Sequence, residues 1–352
     1  MVSILLDEPK ISIVVPVHNG GESFRRCLSS IQCWGSAAEV IVVADGDSDG
    51  SWKIAEACGF KVVRLPESKG PANARNVGAE SASADILFFI DADVELHPTT
   101  LARVLYAFRR QPELAALIGS YDDEPGAENF LSQYKNLFHH YTHQEGKEEA
   151  STFWGACGAI RRDIFLEMGG FDQRYRRPCI EDIELGYRLR QAGYNIRLCK
   201  CVQVKHLKRW TSYSLLRAEV FYRALPWMAL LLNIRQRDPE QYQAFTSDLN
   251  LKRSSRFSVT LVYGLCLSLV LSFWWPLWLW IVCICGAVLT AINWPVYRFF
   301  YRKRGGWFAL RVLPWHWLYY FYSGLAFVVS TVRHYLQQSW LGGGLNKKKQ
   351  VA

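Results

Sequence analysis

The stretch ADILFFIDADVELHP, residues 84–98, decides the fold. Its run Asp85–Ile90 holds five apolar residues in succession, the pattern of a strand buried on both faces rather than one alternating between core and solvent. Two carboxylates, Asp91 and Asp93, follow directly. Outward from it, ISIVVPV (11–17), EVIVVA (39–44) and KVVRL (61–65) are runs of the same kind, and Gly21–Trp34, Ser51–Cys58 and Ala72–Ala82 read as helices between them. Strands and helices alternating at this spacing predict an α/β domain with a mainly parallel sheet and helices on both faces. Such sheets bind ligands at the carboxyl ends of their strands. Strand one ends in Pro16-Val17-His18-Asn19-Gly20, strand two in Asp45-Gly46-Asp47-Ser48-Asp49-Gly50, and strand four in Asp91-Ala92-Asp93.

The chain has 352 residues, room for about two domains. With 50 % apolar, 14 % aromatic and 21 % charged residues it is neither disordered, collagenous nor a disulfide miniprotein. The net charge of +9 is unevenly placed: residues 236–352 hold 13 Lys and Arg against 3 Asp and Glu, whereas the first 235 hold 28 against 29. A nucleic-acid binder would carry its basic face on the folded domain, so no nucleic acid is expected as partner. The excess charge lies where the chain turns hydrophobic, which points to a membrane surface.

From Phe257 to Tyr297 no residue is charged, a stretch of 41. At about 1.5 Å per residue it would reach roughly 60 Å, twice the ~30 Å hydrocarbon layer, so it reads as two spans, 257–274 and 277–297. Lys252, Arg253 and Arg256 precede it and Arg298, Arg302, Lys303, Arg304 and Arg311 follow, which puts both ends of the hairpin in the cytoplasm. A third run, 312–332, is dense in Trp and Tyr and fits either a crossing or an interfacial position, and Leu225–Leu232 is too short to span. The N-terminus lacks the apolar core of a signal peptide, and the ten scattered cysteines read as a reduced set. The expected organisation is a cytoplasmic domain over residues 1–237, a basic linker or interfacial segment over 238–256, and a helical region over 257–352 integral to the inner or plasma membrane. The sequence carries no signal of oligomeric state.

Asp91 and Asp93 repel each other unless a cation neutralises them, and oxygen ligands of this type suit Mg²⁺ or Mn²⁺, ions that also hold substrate phosphates. The same spacing suits a solvated turn. No G-x-x-x-x-G-K-[ST] and no G-x-G-x-x-G after strand one is present, so phosphate binding by either device is not expected. His139 and His143 lie four apart, as metal ligands can, but without the acid of an H-E-x-x-H; a helix facing acceptor or membrane is the reading adopted.

Five blocks in order carry a resemblance: ISIVVPVHNG (11–20), VIVVADGDSDGS (40–51), KGPANARNVGAESASADILFFIDADVELHP (69–98), GACGAIRRDIFLEMGGFDQRY (155–175) and IEDIELGYRLRQAGY (180–194). Over roughly Ile11 to Trp210 the chain resembles the family 2 glycosyltransferases of the GT-A fold, Rossmann-like enzymes with a mainly parallel sheet. The resemblance implies that Pro16, His18, Asn19 and Asp45 hold the base of a nucleotide-sugar donor, with His18 stacking or simply satisfied by backbone. It implies that Arg75 faces the diphosphate or lies on the surface. It makes Asp91 and Asp93 the D-x-D motif, Asp93 the stronger ligand of a divalent cation, Mn²⁺ or Mg²⁺.

By the same resemblance Asp182 in Ile180-Glu181-Asp182 is the general base, its pKa raised by Glu181 beside it. His206-x-x-Arg209-Trp210 stands where processive synthases carry Q-x-x-R-W; His206 would complete the metal site with Asp91 and Asp93, and Arg209 and Trp210 would line the acceptor or diphosphate site. Trp154 and Gly155 match the segment touching donor sugar and acceptor. The activity implied is inverting transfer of a sugar from a UDP- or GDP-sugar to a lipid or lipid-linked hydroxyl at the cytoplasmic membrane face. A polyprenyl-phosphate glycosyltransferase, a processive polysaccharide synthase and a non-catalytic nucleotide-sugar-binding scaffold remain as alternatives. A nucleotidyltransferase would need a cationic triphosphate loop where His18-Asn19-Gly20-Gly21 stands.

Overall fold

Apolar strands that pair in parallel form one half of a nine-stranded sheet. In a computed structural model, which describes residues 9–34, 38–245 and 253–349, the elements through Thr211 are β1 (Ile11–Val17), α1 (Gly21–Gln32), β2 (Glu39–Asp45), α2 (Ser51–Ala57), β3 (Lys61–Leu65), α3 (Pro71–Ser81), β4 (Ile86–Ile90), β5 (Val94–Leu96), α4 (Thr100–Arg110), β6 (Ala116–Tyr121), α5 (Phe130–Gln144), β7 (Glu149–Ala150), β8 (Cys157–Arg161), α6 (Arg162–Glu167), α7 (Glu181–Gln191) and β9 (Ile196–His206). The strand order is β3-β2-β1-β4-β8-β6-β9-β5, with β7 on β9. The first four strands pair in parallel; β8 runs antiparallel to β4 and β6. The fold is therefore the expected α/β sheet with an antiparallel insertion.

This topology collects the polar ends. The parallel strands deliver His18, Asp45 and Asp91 to one edge. Because β8 is antiparallel, Cys157 at its start pairs with Ile90, so Trp154-Gly155 enters at the edge where Asp91 leaves. At the far side Val94 pairs with His206, which sets the end of β9 beside the turn after β4.

Alternate strand residues feed two cores. Ile13, Val15, Val42, Ala44, Phe88 and Ile90 face one side, and Val14, Ile41, Val43, Leu87 and Phe89 the other. On the second side Phe89 packs against Phe165 and Phe171, ring centroids 5.1 and 5.2 Å away. The α3 helix presents small residues, Ala72, Ala74, Gly78 and Ala79, and so lies close on the sheet. A Cβ at Gly78 would stand 2.3 Å from Val14 Cγ1. That close seat carries Arg75 down to the strand ends.

The residues from Ser212 form a second compact unit. It comprises α8 (Ser212–Arg217), a π-helical turn (Ala218–Ala224), α9 (Leu225–Arg237), α10 (Pro239–Phe245), α11 (Arg253–Leu271), α12 (Trp278–Ile292), α13 (Trp294–Arg304) and α14 (Gly306–Lys349). By length and composition α11 could cross a membrane, and a second span exists only if α12 and α13 are taken together across a 68° bend. The stretch 277–297, read from sequence as one span, is thus broken at Asn293. Its Nδ2 donates to Leu289 O (2.9 Å) and Ser258 Oγ (3.0 Å), while Oδ1 accepts from Tyr320 Oη (2.7 Å). The stretch 312–332 lies inside α14, which does not reach the apolar threshold of a span among the described residues. Part of the expected linker, 246–252, lies outside the described residues.

Gly78→Val should cost about 1–3 kcal/mol, because α3 must lift from the sheet to admit the side chain. The measurement is the urea midpoint of the purified protein; an unchanged midpoint would contradict the seating of α3.

Candidate active site

At the donor side of the strand ends, loops are tied by their own side chains. His18 is exposed, and its Nδ1 donates to the Asp45 carbonyl at 2.7 Å. Asn19 adopts φ 53°, a left-handed conformation that asparagine tolerates, and its Oδ1 accepts from Ser48 N (2.8 Å) and Asp49 N (3.2 Å). The Asp45 carboxylate is buried and accepts from Ser68 Oγ (2.8 Å), Lys69 N (2.8 Å) and Gly70 N (2.9 Å). Asn19 and Asp45 therefore act within the chain as loop fasteners, a use the sequence did not reveal. Pro16 is half-buried within β1, its carbon skeleton directly before this loop.

The centre of the site is Arg75, which is buried rather than on the surface. One guanidinium nitrogen donates to Asp91 Oδ1 at 2.6 Å and the other to Glu181 Oε1 at 2.8 Å. Burial opposes its charge, but Asp91, Glu181 and Asp182 outweigh that cost and hold it protonated. Glu181 also accepts from Cys179 N (2.9 Å). Gly155 lies flat against the guanidinium: a Cβ there would sit 3.0 Å from Arg75 Cζ.

Asp182 stands in the first turn of α7, where the helix N-terminus favours acids. Its Oδ2 accepts from Gly155 N (3.0 Å) and its Oδ1 from Ile183 N (2.8 Å). Burial, then the adjacent Glu181, push this carboxyl up to about 6 against those hydrogen bonds.

Asp93 faces a different group. His206 Nε2 lies 3.6 Å from Asp93 Oδ2, and Lys208 Nζ lies 3.8 Å from the same oxygen. Burial works against the Asp93 charge, yet the imidazole and the ammonium hold its carboxyl well below the usual range. His206 is buried, and its Nδ1 contacts Asn136 Oδ1 at 2.6 Å. An amide oxygen only accepts, so Nδ1 donates to Asn136 and Nε2 is the nitrogen turned to Asp93, an N–H donor to that carboxylate until a cation takes the proton's place. A carboxylate oxygen and an imidazole nitrogen, the latter oriented by an amide, form a donor set that fits a divalent cation. The expected trio assembles only in part: Asp91 is turned to Arg75, and no three His, Cys, Asp or Glu side chains gather as a metal cage among the described residues.

An aromatic wall adjoins His206. Tyr121 stacks on its ring at 4.4 Å, Trp154 meets Tyr121 at 4.8 Å, and His139 and His143 pack on Trp154 at 4.7 and 5.0 Å. His143 Nδ1 also contacts the Gly119 carbonyl at 2.9 Å, and burial pushes its pKa down to about 4. His139 and His143, two of the three α5 histidines, thus build this wall. Trp210 is buried, its backbone N–H donating to Ser132 Oγ (2.7 Å), and Arg209 is exposed. Asn136, Tyr121 and Lys208 escaped the sequence reading. The signal for Asn136 was the spacing of Ser132, Asn136, His140 and His143, a polar stripe down one face of α5 that is buried.

Residues 12–169 match the family described as glycosyl transferase family 2, and residues 135–211 that described as N-terminal domain of galactosyltransferase. The first unit thus carries the glycosyl transferase family 2 match over most of its length. The pre-mycofactocin glycosyltransferase of Mycobacterium tuberculosis is 28 % identical over 223 residues, 60 % of this chain and 46 % of that protein. The poly-beta-1,6-N-acetyl-D-glucosamine synthase of Staphylococcus aureus is 26 % identical over 201 residues, 53 % and 47 % of the two chains. The chain therefore spans about half the length of these curated relatives.

Among solved structures, the mannosyltransferase PcManGT from Pyrobaculum calidifontis, in complex with GDP-Man and Mn²⁺, superposes with a TM-score of 0.56 at 16 % identity over 93 % of this chain and 87 % of its own. S. aureus TarS 1-349 in complex with UDP-GlcNAc gives 0.52 at 19 % identity over 69 % and 72 %. These likenesses are of fold, and the fold is GT-A.

Asn136→Ala should weaken Mn²⁺ binding about 10- to 100-fold by releasing the His206 ring. Titration calorimetry on the purified protein reads this directly, and wild-type affinity in the variant would deny Asn136 its orienting part.

Proposed function

We propose that this protein transfers a sugar, with inversion, from a UDP- or GDP-linked donor to the hydroxyl of a lipid or lipid-linked acceptor at the cytoplasmic face of a membrane. The observation that carries the reading is Asp182, a carboxylate with a raised pKa, pinned by Gly155 and next in the chain to Glu181, whose partner Arg75 also holds Asp91 of the D-x-D motif. A base near neutrality suits removal of a hydroxyl proton in the transition state.

The Gly155 and Ile183 amides each occupy one lone pair of Asp182 and fix the plane of the carboxylate. Asp182 takes the acceptor's proton while the acceptor oxygen forms its bond to the anomeric carbon. The bond from that carbon to the diphosphate breaks on the opposite side, its electron pair leaving on a phosphate oxygen. One base and one displacement give inversion. Asp93 and His206 are the residues that would hold a divalent cation, which when bound supplies charge to offset the nucleoside diphosphate leaving group. Arg75 fixes Asp91 and Glu181 and so steadies the rear of the cleft. His18 and Pro16 remain the residues offered to the nucleobase, and Trp154 presents a ring face to sugar C–H groups.

The donors named with PcManGT and TarS, GDP-Man and UDP-GlcNAc, support a nucleotide-sugar, and the Mn²⁺ of the former supports a divalent cation. The membrane and its lipid acceptor rest on α11 and on the basic sequence from Lys252 onward, which holds no Asp or Glu. The stretch His206-Leu207-Lys208-Arg209-Trp210 lacks the glutamine of processive synthases, which favours addition of a single sugar.

Asp182→Asn should lower kcat by about 10²–10⁴-fold, the usual contribution of a general base. In the parent protein kcat/KM should fall as pH drops through about 6, because the protonated carboxyl cannot accept the hydroxyl proton. The assay is a panel of nucleotide-sugars with membranes bearing the protein, read by mass spectrometry of lipid extracts; full turnover by Asp182→Asn would defeat the assignment. EDTA should abolish product formation and Mn²⁺ or Mg²⁺ restore it.

A further inference from the structure

The segment Leu207–Trp210 is clamped at both ends. Leu207 N donates to the Asp93 carbonyl at 2.8 Å, and Trp210 donates to Ser132 Oγ (2.7 Å) while its own carbonyl accepts from Asn129 Nδ2 (2.8 Å). Between the clamps Lys208 folds back over the Trp210 ring, Nζ 4.8 Å from its centroid. The side chain remains 44 % exposed, so the ammonium faces the open side. Neither of its contacts is a strong hold. The Asp93 oxygen is 3.8 Å away, beyond hydrogen-bond reach, and the contact with the Trp210 ring is made by an ammonium that water still reaches, which weakens it.

The oxygen that Lys208 approaches, Asp93 Oδ2, is also the one that faces His206 Nε2. A divalent cation seated between Asp93 and His206 would meet this ammonium at close quarters, and one carboxylate cannot neutralise both. The nearest new anion is then the diphosphate that arrives with the donor. We propose that Lys208 is a charge-exchange residue: it counters Asp93 in the donor-free protein and moves to the donor's diphosphate once a divalent cation takes Asp93. The proposal rests on the glycosyltransferase reading.

The side chain suits the task. A lysine is a compact point charge on a flexible stem, whereas an arginine at this position would fork onto the carboxylate and stay there. During transfer the bond from the anomeric carbon to the phosphate oxygen breaks with its electron pair on that oxygen. Lys208 donates a hydrogen bond to the oxygen and keeps its proton, the acceptor's proton having gone to Asp182.

Two substitutions move the readouts in opposite directions. With purified full-length protein, Lys208→Gln should tighten Mn²⁺ binding in the absence of nucleotide by roughly two- to fivefold, since a competing ion pair is removed. At saturating Mn²⁺ the same variant should loosen UDP or GDP, whichever the parent binds, by roughly tenfold or more. Lys208→Arg should weaken Mn²⁺ binding. A residue that merely packs on Trp210 would shift neither constant in this crossed manner. Unchanged or weakened Mn²⁺ binding by Lys208→Gln, or unchanged nucleotide binding, overturns the proposal while the parent still binds both ligands. Failure of the parent to bind either one overturns the glycosyltransferase reading together with it.

Discussion

A guanidinium buried behind the cleft lets carboxylates from distant parts of the chain share one end of a sheet. Arg75 joins Asp91, which leaves β4, to Glu181, which opens α7, and it lies against Gly155 at the approach to β8. Two bare carboxylates about 4 Å apart repel by roughly 4 kcal/mol at an effective dielectric of 20. Removing one member of a buried pair of this kind costs about 3–5 kcal/mol, because the charge left behind has no partner. Asp93 and Asp182 are thereby left to imidazole, ammonium and backbone amides. Charge is sorted by partner: Asp91 and Glu181 answer to Arg75, and Asp93 and Asp182 do not share it as a hydrogen-bond partner.

Much of this was legible in the sequence because the informative residues are local. Five apolar residues ending in Asp91 fix both a buried strand and the end from which it emerges, and the parallel reading of β1 to β4 follows from their spacing. The raised carboxyl of Asp182 was legible in the same way, since Glu181 is its neighbour in the chain. What escaped depends on separation. Glu181 meets Arg75 across 106 positions and Asn136 meets His206 across 70, and no periodicity reports such pairs. The D-x-D spacing likewise invites both acids onto one cation, whereas a partner sixteen residues earlier has already claimed Asp91.

The second unit shows the same limit for a different reason. Composition sums hydropathy along a stretch and is blind to direction, so 277–297 reads as one apolar run. The chain turns by 68° because a single amide, Asn293, finds donors and acceptors on α11, α12 and α14 together. Buried amides that satisfy three elements at once specify geometry in a way that apolar packing does not.

Gly155 has an evolutionary consequence. Its amide holds the base and its missing side chain makes room for Arg75, so one position answers to both chemistry and folding. Any heavier residue there must displace a guanidinium already bound on two sides. A compensating change would have to begin at Arg75, whose loss strands two acids. Drift through single steps is therefore closed at this point, and the freedom to vary is left to neighbours that bear one duty each, such as the rings packed on Trp154.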